Sequence, residues 1–305
     1  MKKLLLILLC LPMIGFGQQT YVPDDDFEWY LEDNGMGNGV YGDDYILTSN
    51  IINVDTLILK NLIVFNGISD LTGIEDFSSL KYLDISYNFG FLTTVDLSSN
   101  TYLVCLISED NGEIQSYNLS NNTALEYLDI GGNLALTYID LSANTALKYL
   151  DCGENDLINL NLSNNTALEY FSCHSCHSLT SLDLSNNNNL DSLFLLHTNS
   201  LYSLDIRNGN NTNMVLSTYG ATNLTCINVD DVAWANANWT VANFNIDPQH
   251  YFSTNCPPSA IDEHFTNKEL HKVTDLLGRE TKGKTNEPLF YIYDDGTVEK
   301  RITID

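Results

Sequence analysis

Tyrosine and aspartate recur together along the middle of the chain. Tyr127, Tyr149 and Tyr170 follow one another at intervals of 22 and 21 residues, and Asp129 and Asp151 stand two residues after the first two of them. Residues two apart on a β-strand face the same side, so each of these tyrosines would lie beside a carboxylate. An aromatic strip bordered by carboxylates suits stacking against sugar rings or binding of a protein partner. The alternative is that the tyrosines only cover and stabilise a half-exposed sheet.

A second candidate for chemistry is the segment CHSCH at residues 173–177. It matches the C-x-x-C-H spacing of covalent haem attachment and would also suit a metal cluster. However, Cys173 stands at a position that Ile130 and Cys152 hold at earlier, equally spaced points of the chain, where an inward side chain is expected. We therefore predict that Cys173 and Cys176 are buried structural thiols, and that the chain has no metal site and no cofactor.

Sequence signatures of hydrolases are missing from the chain. There is no G-x-S-x-G and no H-E-x-x-H motif, and the six histidines show no triad arrangement. We predict a protein without enzymatic activity. A carbohydrate-active enzyme, either a glycoside hydrolase or a lyase, stays open as an alternative because acidic residues are frequent and two of them suffice for that chemistry.

Acidic residues dominate the charge of the chain. The 305 residues include 40 acidic and 13 basic ones, which gives a net charge of -27. Residues 18–256 hold 30 of the acids against only four basic residues. Nucleic-acid binding is excluded, because contacts to phosphates need lysine and arginine. The hydrophobic fraction of 44% also excludes wholesale disorder.

The first seventeen residues have the pattern of a cleavable secretory signal. Lys2 and Lys3 precede an apolar stretch over residues 4–14, and small residues come before Gln18. The apolar stretch is too short to cross a bilayer, which needs about 20 residues. We predict an exported protein without a transmembrane span, in a compartment that permits disulfides.

The positions that carry these side chains belong to an internal repeat of about 22 residues. Each copy contains two halves of the form L-x-x-L-x-L-x-x-N, in which alternating apolar residues predict a short strand with one buried face. One copy cannot bury its own leucines, so the copies must stack as a solenoid. The copies begin at Leu80, Leu103, Leu125, Leu147, Leu168 and Leu190.

Asparagine closes each half-repeat in two series. We expect each series to stack as a ladder whose side chains satisfy buried amides of the loops. The first series consists of Asn88, Asn111, Asn133 and Asn155, after which Cys176 and Thr198 take the position. The second series consists of Asn100, Asn122, Asn144, Asn165 and Asn187.

The repeat resembles the leucine-rich repeat family, in particular the bacterial surface type of Bacteroidetes in which both half-repeats end in asparagine. The matching copies span about residues 80–211. The resemblance implies an α/β-type repeat solenoid that is mostly β, a right-handed coil with parallel strands. It also implies a protein that binds macromolecules.

The array needs covers at both ends, because a solenoid exposes apolar edges there. We predict that residues 18–56 form an N-terminal cap with a short helix, whose apolar stripe includes Phe27 and Leu31. A calcium loop over residues 33–44 is disfavoured, because Gly35 and another glycine stand where oxygen ligands belong.

The solenoid is predicted over residues 57–213 and an irregular C-terminal cap over residues 214–256. Cys226 and Cys256 flank the part of the cap that carries Trp234 and Trp239. In an exported protein we expect a disulfide between them, with two free thiols as the alternative.

The end of the chain differs in composition from the array. After a linker at residues 257–270, residues 271–305 resemble the C-terminal sorting signal of the type IX secretion system, on the residues LGRE at 277–280, LFYIYDDG at 289–296 and KRI at 300–302. The resemblance implies the type IX machinery as a partner, and release or attachment at the outer-membrane surface. The Asp-Asp-Gly sequence predicts a hairpin, and the alternative is a small β-module.

Stacking of the copies predicts a specific arrangement of the candidate residues. Tyr127, Tyr149 and Tyr170 should lie side by side at the strand spacing of about 4.8 Å, with Asp129 and Asp151 beside them. A second polar column is assigned to turn chemistry, with bound cations as the alternative. It consists of Asp96, Asn118, Asp140, Asn161, Asp183 and Asp205.

The sequence thus predicts a secreted or cell-surface binding and adhesion module that contacts a protein or glycan through its Tyr/Asp face. A structural surface-layer component is a further alternative.

Overall fold

The computed structural model describes residues 18–62, 67–88, 92–257, 270–274, 288–293 and 298–302. The chain divides into two compact units, Met1–Pro257 and Pro258–Asp305. The predicted signal peptide, nearly all of the predicted linker and the LGRE segment of the tail lie outside the described residues. Among the described helices, none is long and apolar enough to span a bilayer.

The N-terminal segment forms a small antiparallel sheet with two helices. Strand β1 (Gln19–Tyr21) precedes helix α1 (Asp25–Asp33), and strand β2 (Tyr45–Leu47) pairs with β1 before the short helix α2 (Thr48–Ile51). The Asp24 carboxylate caps α1 by accepting a hydrogen bond from the Phe27 N–H at 2.9 Å. Phe27 and Leu31 of α1 are fully buried, so the helix covers the first coil of the array.

Two glutamates of α1 hold the loop that follows it. The Glu32 carboxylate accepts a hydrogen bond from the Gly39 N–H at 2.9 Å, and the Glu28 carboxylate accepts from the Gly42 and Asp43 N–H groups at 3.1 Å. Hydrogen bonds from the protein's own N–H groups to these carboxylates therefore account for the conformation of the loop, without a calcium ion.

The half-repeats contribute strands of three residues, except for the second halves of the copies that begin at Leu125 and Leu147, and strands of adjacent coils pair in parallel. The strands are β3 (Thr56–Ile58), β4 (Tyr82–Asp84), β5 (Thr94–Asp96), β6 (Cys105–Ile107), β7 (Ser116–Asn118), β8 (Tyr127–Asp129), β9 (Tyr149–Asp151), β10 (Tyr170–Ser172), β11 (Ser181–Asp183), β12 (Ser192–Phe194), β13 (Ser203–Asp205), β14 (Val215–Ser217), β15 (Cys226–Asn228) and β16 (Tyr251–Ser253).

The first half-repeats form an eight-stranded parallel sheet, which we call the front sheet, in the order β14-β12-β10-β9-β8-β6-β4-β3. The second half-repeats form a two-stranded sheet, β5-β7, and a four-stranded sheet, β11-β13-β15-β16. The structure is therefore the predicted parallel-strand solenoid.

The core lies between these sheets. It consists of the inward side chains of both half-repeats, and almost all of them are fully buried. Burying a leucine side chain contributes about 1.5–3 kcal/mol, and stacking repeats this gain at every coil.

The first asparagine series forms the predicted ladder. The Asn133 side-chain N–H groups donate to the Ser108 and Ile130 carbonyls at 2.8 Å, and its Oδ1 accepts from the Asn111 N–H at 3.2 Å. The same amide-to-amide bonds join Asn88 to Asn111 and Asn133 to Asn155. The side chains thus bond each coil to the next.

The second asparagine series is also buried, but it bonds differently. The Asn144 side-chain N–H groups donate to the Leu119 and Asn122 carbonyls of the preceding coil at 3.1 and 2.9 Å. Its Oδ1 atom is buried and has no hydrogen-bond partner among the described residues, and the same holds for the other four members. This series therefore uses only its donors to join the coils.

The region predicted as the C-terminal cap, residues 214–256, is only partly a cap. Strand β14 extends the front sheet, and β15 and β16 extend a back sheet, so stacked coils continue beyond residue 213. The leucine period fails there because the short helix α3 (Val232–Asn238) interrupts the coil, while backbone pairing continues. The predicted disulfide between Cys226 and Cys256 is present and joins β15 to the segment that follows β16.

The described residues of the second unit form three antiparallel strands, β17 (Leu270–Thr274), β18 (Pro288–Tyr293) and β19 (Val298–Ile302), in that order. Strands β18 and β19 flank the Asp-Asp-Gly sequence in antiparallel register, as a hairpin requires. The turn itself lies outside the described residues.

Removing one rung of the first ladder tests its contribution. We predict that Asn133→Ala lowers the free energy of unfolding by about 3 kcal/mol, because the buried Ser108 carbonyl and the Asn111 N–H lose their partner. Asn121→Ala is the matched control, since this exposed side chain donates to the Ser98 carbonyl, and it should change stability by less than about 0.5 kcal/mol. Urea unfolding followed by circular dichroism measures both, and equal effects would contradict the role of the ladder.

Candidate functional site

The three predicted tyrosines lie side by side on the front sheet. Tyr127 pairs with Tyr149, and Tyr149 with Tyr170, at equivalent positions of parallel strands. The ring centroids of Tyr127 and Tyr149 are 4.1 Å apart and those of Tyr149 and Tyr170 are 4.4 Å apart, with planes within 5° of parallel in both pairs. The strand register therefore produces a continuous stack of three rings, which we call the tyrosine stack.

The stack determines which parts of the rings a ligand can reach. Both faces of the Tyr149 ring are covered, one by Tyr127 and the other by Tyr170. A ligand that approaches the middle of the stack meets ring edges and phenol hydroxyls. Because ring edges carry partial positive charge, the accessible surface favours hydrogen bonding and edge contacts over face-to-face stacking.

A cleft of about 180 Å³ lies beside the strand ends of the front sheet. Its acidic lining consists of Glu109, Asp110, Asp129, Asp151 and Glu154. His174 borders the cleft, with its imidazole 3.4 Å from the Glu154 carboxylate and 4.0 Å from that of Asp151. The structure thus brings the two predicted aspartates together with three further carboxylates, and we call this place the acidic cleft.

Glycines leave the space for this cleft. Gly131, Gly132 and Gly153 line it, and a side chain at Gly132 would overlap the Asp110 carboxylate. A side chain at Gly153 would overlap the His174 ring. Gly132 also has φ of 72°, a left-handed conformation that glycine adopts without strain.

Asp129 and Asp151 each have a local structural role as well. Asp129 Oδ1 accepts from the Gly131 N–H at 3.3 Å, and Asp151 Oδ1 accepts from the Gly153 N–H at 2.9 Å, so both close the turn after their strand. Burial raises the pKa of Asp129 to about 7, and the charges of Glu109 and Asp151 add to this effect. Burial also raises the pKa of Asp151.

The second polar column makes turn hydrogen bonds, and its last member, Asp205, also forms an ion pair with Arg207. Asp96 and Asp140 accept hydrogen bonds from the N–H groups two residues ahead at 2.9 Å, and Asp183 does the same. Hydrogen bonds from Ser98 and Ser142 lower the pKa of Asp96 and Asp140. These bonds explain why aspartate and asparagine recur there, as the turn interpretation predicts.

The prediction that Cys173 and Cys176 are buried is confirmed, but the prediction that they are free thiols is wrong. Both residues are buried, but they form a disulfide with their Cα atoms 5.7 Å apart. The inward position and the ladder position of one coil face each other across its turn, which brings the two side chains together. Sulfurs joined in this way are not available for haem attachment or as thiolate ligands.

Two further groups of ligand-type atoms are close together. The Cys152 sulfur lies within 4.8 Å of the Cys173–Cys176 pair, and the carboxylates of Asp25, Glu28 and Asp44 lie equally close to one another. Since the disulfide occupies two of the sulfurs and Glu28 already accepts from two loop N–H groups, both groups have structural explanations.

Sequence reasoning missed most of the acidic cleft. One loop position recurs in successive coils with a left-handed backbone conformation, at intervals of 21 or 22 residues. Its members are Asp110, Gly132, Glu154, Ser175 and His197. The sequence signal for this position is the 22-residue period, applied to the third residue after the end of each strand. Reading that column would have placed Asp110 and Glu154 beside Asp129 and Asp151.

The stacked parallel strands and asparagine ladders define a leucine-rich-repeat-type solenoid. No protein-family model and no curated protein sequence matches the chain. Among solved structures, it is similar to the functional domain of InlJ from Listeria monocytogenes, at 19% identity over 79% of this chain and 71% of the other, with a TM-score of 0.30.

Two more bacterial structures show similarity at the same level. A leucine-rich repeat protein of Leptospira interrogans is 14% identical over 59% of this chain and 68% of its own, with a TM-score of 0.34. Internalin C2 of Listeria monocytogenes is 17% identical over 70% and 99%, with a TM-score of 0.32. At such values the fold assignment rests on the chain's own strands and ladders.

The raised pKa of Asp129 predicts a specific pH dependence. Its folded-state pKa of about 7 exceeds the unfolded value of about 3.9, so the stability it contributes is lost as the pH rises through 7. We predict that Asp129→Asn is about 1–2 kcal/mol more stable than the wild type at pH 8, with no difference near pH 4. Urea unfolding at both pH values measures this. Asp140→Asn, a turn aspartate whose pKa is lowered, is the control and should show no gain at pH 8.

The cysteine pairing predicts which thiols react. Alkylation of the unfolded but unreduced chain should modify Cys105 and Cys152, the two free cysteines of the described part. In the folded chain Cys152 should stay unmodified because it is fully buried, and Cys105 should react slowly because burial raises its pKa to about 11. Peptide mass spectrometry reads out the sites, and alkylation of Cys173 or Cys176 without reductant would contradict the pairing.

Proposed function

We propose that the chain is a secreted or cell-surface leucine-rich-repeat protein that acts as a non-enzymatic binding and adhesion module. The observation that carries this proposal is the tyrosine stack beside the acidic cleft on one face of a rigid sheet. Tyrosine contributes large contact area with few rotatable bonds, and such side chains dominate the energy of many protein interfaces.

The geometry of the stack favours a protein ligand. A sugar ring would need an open aromatic face, and both faces of Tyr149 are covered by its neighbours. The row of phenol groups offers hydroxyls that donate to and accept from a polypeptide backbone. Burial raises the pKa of all three tyrosines, so these hydroxyls stay neutral over the physiological pH range.

A carbohydrate-active enzyme is the second candidate, because the acidic cleft contains a carboxyl group with a raised pKa. Glycoside hydrolysis works with one protonated and one ionised carboxyl group, whose environments push their pKa values apart. Here burial shifts the pKa of Asp129 and of Asp151 in the same direction, and both carboxylates also close turns. This pattern supports binding. Release of reducing ends from a polysaccharide panel by the chain would support the enzyme instead.

Export by the type IX secretion system is part of the proposal. Its support is the resemblance of residues 271–305 to the sorting signal, together with the two disulfides of the first unit, which are typical of exported proteins. The antiparallel strands β17, β18 and β19 give this tail a fold of its own.

The proposed site can be tested once a screen against surface proteins and glycans, with and without Ca²⁺, has provided a ligand. We predict that the double change Tyr127→Ala and Tyr149→Ala weakens binding at least about 30-fold, the scale of a lost interface hot spot. The measurement is surface plasmon resonance, with circular dichroism to confirm folding. Tyr138→Ala is the control, because Tyr138 is exposed on the second half-repeat. Unchanged affinity in the double variant would place the site elsewhere.

A further inference from the structure

The front sheet has a second exposed region, at its C-terminal end. Phe194 belongs to β12, Val215 to β14, and Tyr219 and Phe244 lie in the loops that follow. Val215 is 54% exposed, Tyr219 39% and Phe244 65%, whereas Phe194 is half-buried. We call these four residues the aromatic patch.

One member of the aromatic patch, Phe194, contacts the tyrosine stack. The Tyr170 and Phe194 ring centroids are 5.6 Å apart, which connects the last tyrosine of the stack to the patch. Within the patch, the Tyr219 and Phe244 rings meet edge to face at 5.6 Å. Large apolar side chains thus follow the direction of the solenoid axis along the front sheet.

Phe244 combines exposure with an unfavourable backbone conformation. Its φ of 58° is left-handed, which a bulky residue adopts only at a cost in free energy. The neighbouring Asn245 fixes this conformation, since its carbonyl accepts from the Thr218 N–H at 2.7 Å and its side chain donates to the Leu216 carbonyl at 2.9 Å. The ring gains little burial in return, so folding alone does not explain a phenylalanine here.

Charge defines the opposite end of the same surface. The acidic cleft gathers five carboxylates, and no lysine or arginine is among the residues that line it in the described part of the chain. Two of the few basic residues are engaged elsewhere, Lys148 with Glu126 and Arg207 with Asp205. Lys60 lies over the ring of Tyr87, a residue at the edge of the cleft, at 4.8 Å, so one cation stands beside the five carboxylates. A partner with a basic side chain at this end would complement the charge.

The strand spacing gives the distance between the two ends. Phe194 lies on the second strand beyond the strand of Asp151. The segment that contains Phe244 lies beside β14, two strand positions beyond Phe194. At about 4.8 Å per strand these separations are about 10 and 19 Å. An extended peptide rises about 3.3 Å per residue, so it covers them with about three to six residues.

We propose that the front sheet binds an extended protein segment that lies along the solenoid axis. The segment carries a lysine or arginine that enters the acidic cleft, and a large apolar side chain three to six residues away that contacts the aromatic patch. This proposal rests on the proposed binding function and adds the chemistry of its partner.

Selection of a random 12-residue peptide display library on the full chain tests the proposal. The expected result is enrichment of peptides that contain a basic residue three to six positions from a large apolar residue. An enriched peptide, made synthetically, is then measured against variants of the chain by fluorescence polarisation.

Phe244→Gly removes the ring and relieves the backbone strain, so this variant should fold at least as stably while binding the peptide at least tenfold more weakly. Asp110→Asn and Glu154→Gln together should weaken binding to a similar extent, and the loss should shrink at high salt. Val241→Ala, an exposed residue of the same loop, is the matched control and should change affinity less than twofold.

Several results would overturn the proposal. They are failure to enrich any peptide, enrichment of peptides without basic residues, and full affinity in Phe244→Gly. If the peptide or a protein ligand is lost in Tyr127→Ala with Tyr149→Ala but retained in Phe244→Gly, the proposed function stands and this inference fails. Ligands that all bind independently of the tyrosines would contradict the proposed function itself.

Discussion

Residue-for-residue stacking of the coils is the constraint on which the rest of the structure depends. Buried asparagine side chains bond the backbone of one coil to the next, and parallel strands repeat the same register from β3 to β14. A side chain in one coil therefore lies next to its equivalent in the following coil at about 4.8 Å. The tyrosine stack and the Asp129–Asp151 pair are columns of this kind.

Such columns produce favourable and unfavourable contacts from the same rule. Three tyrosines in one column stack face to face, whereas two aspartates in the next column repel each other. The repulsion is tolerated because each carboxylate closes a turn, and because burial raises the pKa of Asp129 to about 7, so that protonation removes part of its charge. A surface that retains this unfavourable repulsion between carboxylates is better explained by a binding function than by stability alone.

The repeat pattern predicted the solenoid, its strands and the tyrosine stack, because all of them depend only on the period and on alternation. The acidic cleft was not predicted, because neither the period nor the alternation indicates it. It depends on the absence of side chains at Gly131 and Gly153 and on a loop position with a left-handed backbone. The Cys173–Cys176 disulfide was missed because two positions with different roles meet across a turn. The C-terminal coils were missed because backbone pairing continues where the leucine period stops.

Binding of ligands to the front sheet is tested most directly by hydrogen–deuterium exchange with and without the tightest ligand from the binding screen. Bound ligand should slow exchange in the loops after β8 (Tyr127–Asp129), β9 (Tyr149–Asp151) and β10 (Tyr170–Ser172), while β11 (Ser181–Asp183) and β13 (Ser203–Asp205) stay unchanged. Protection confined to the back strands would contradict binding at the front sheet.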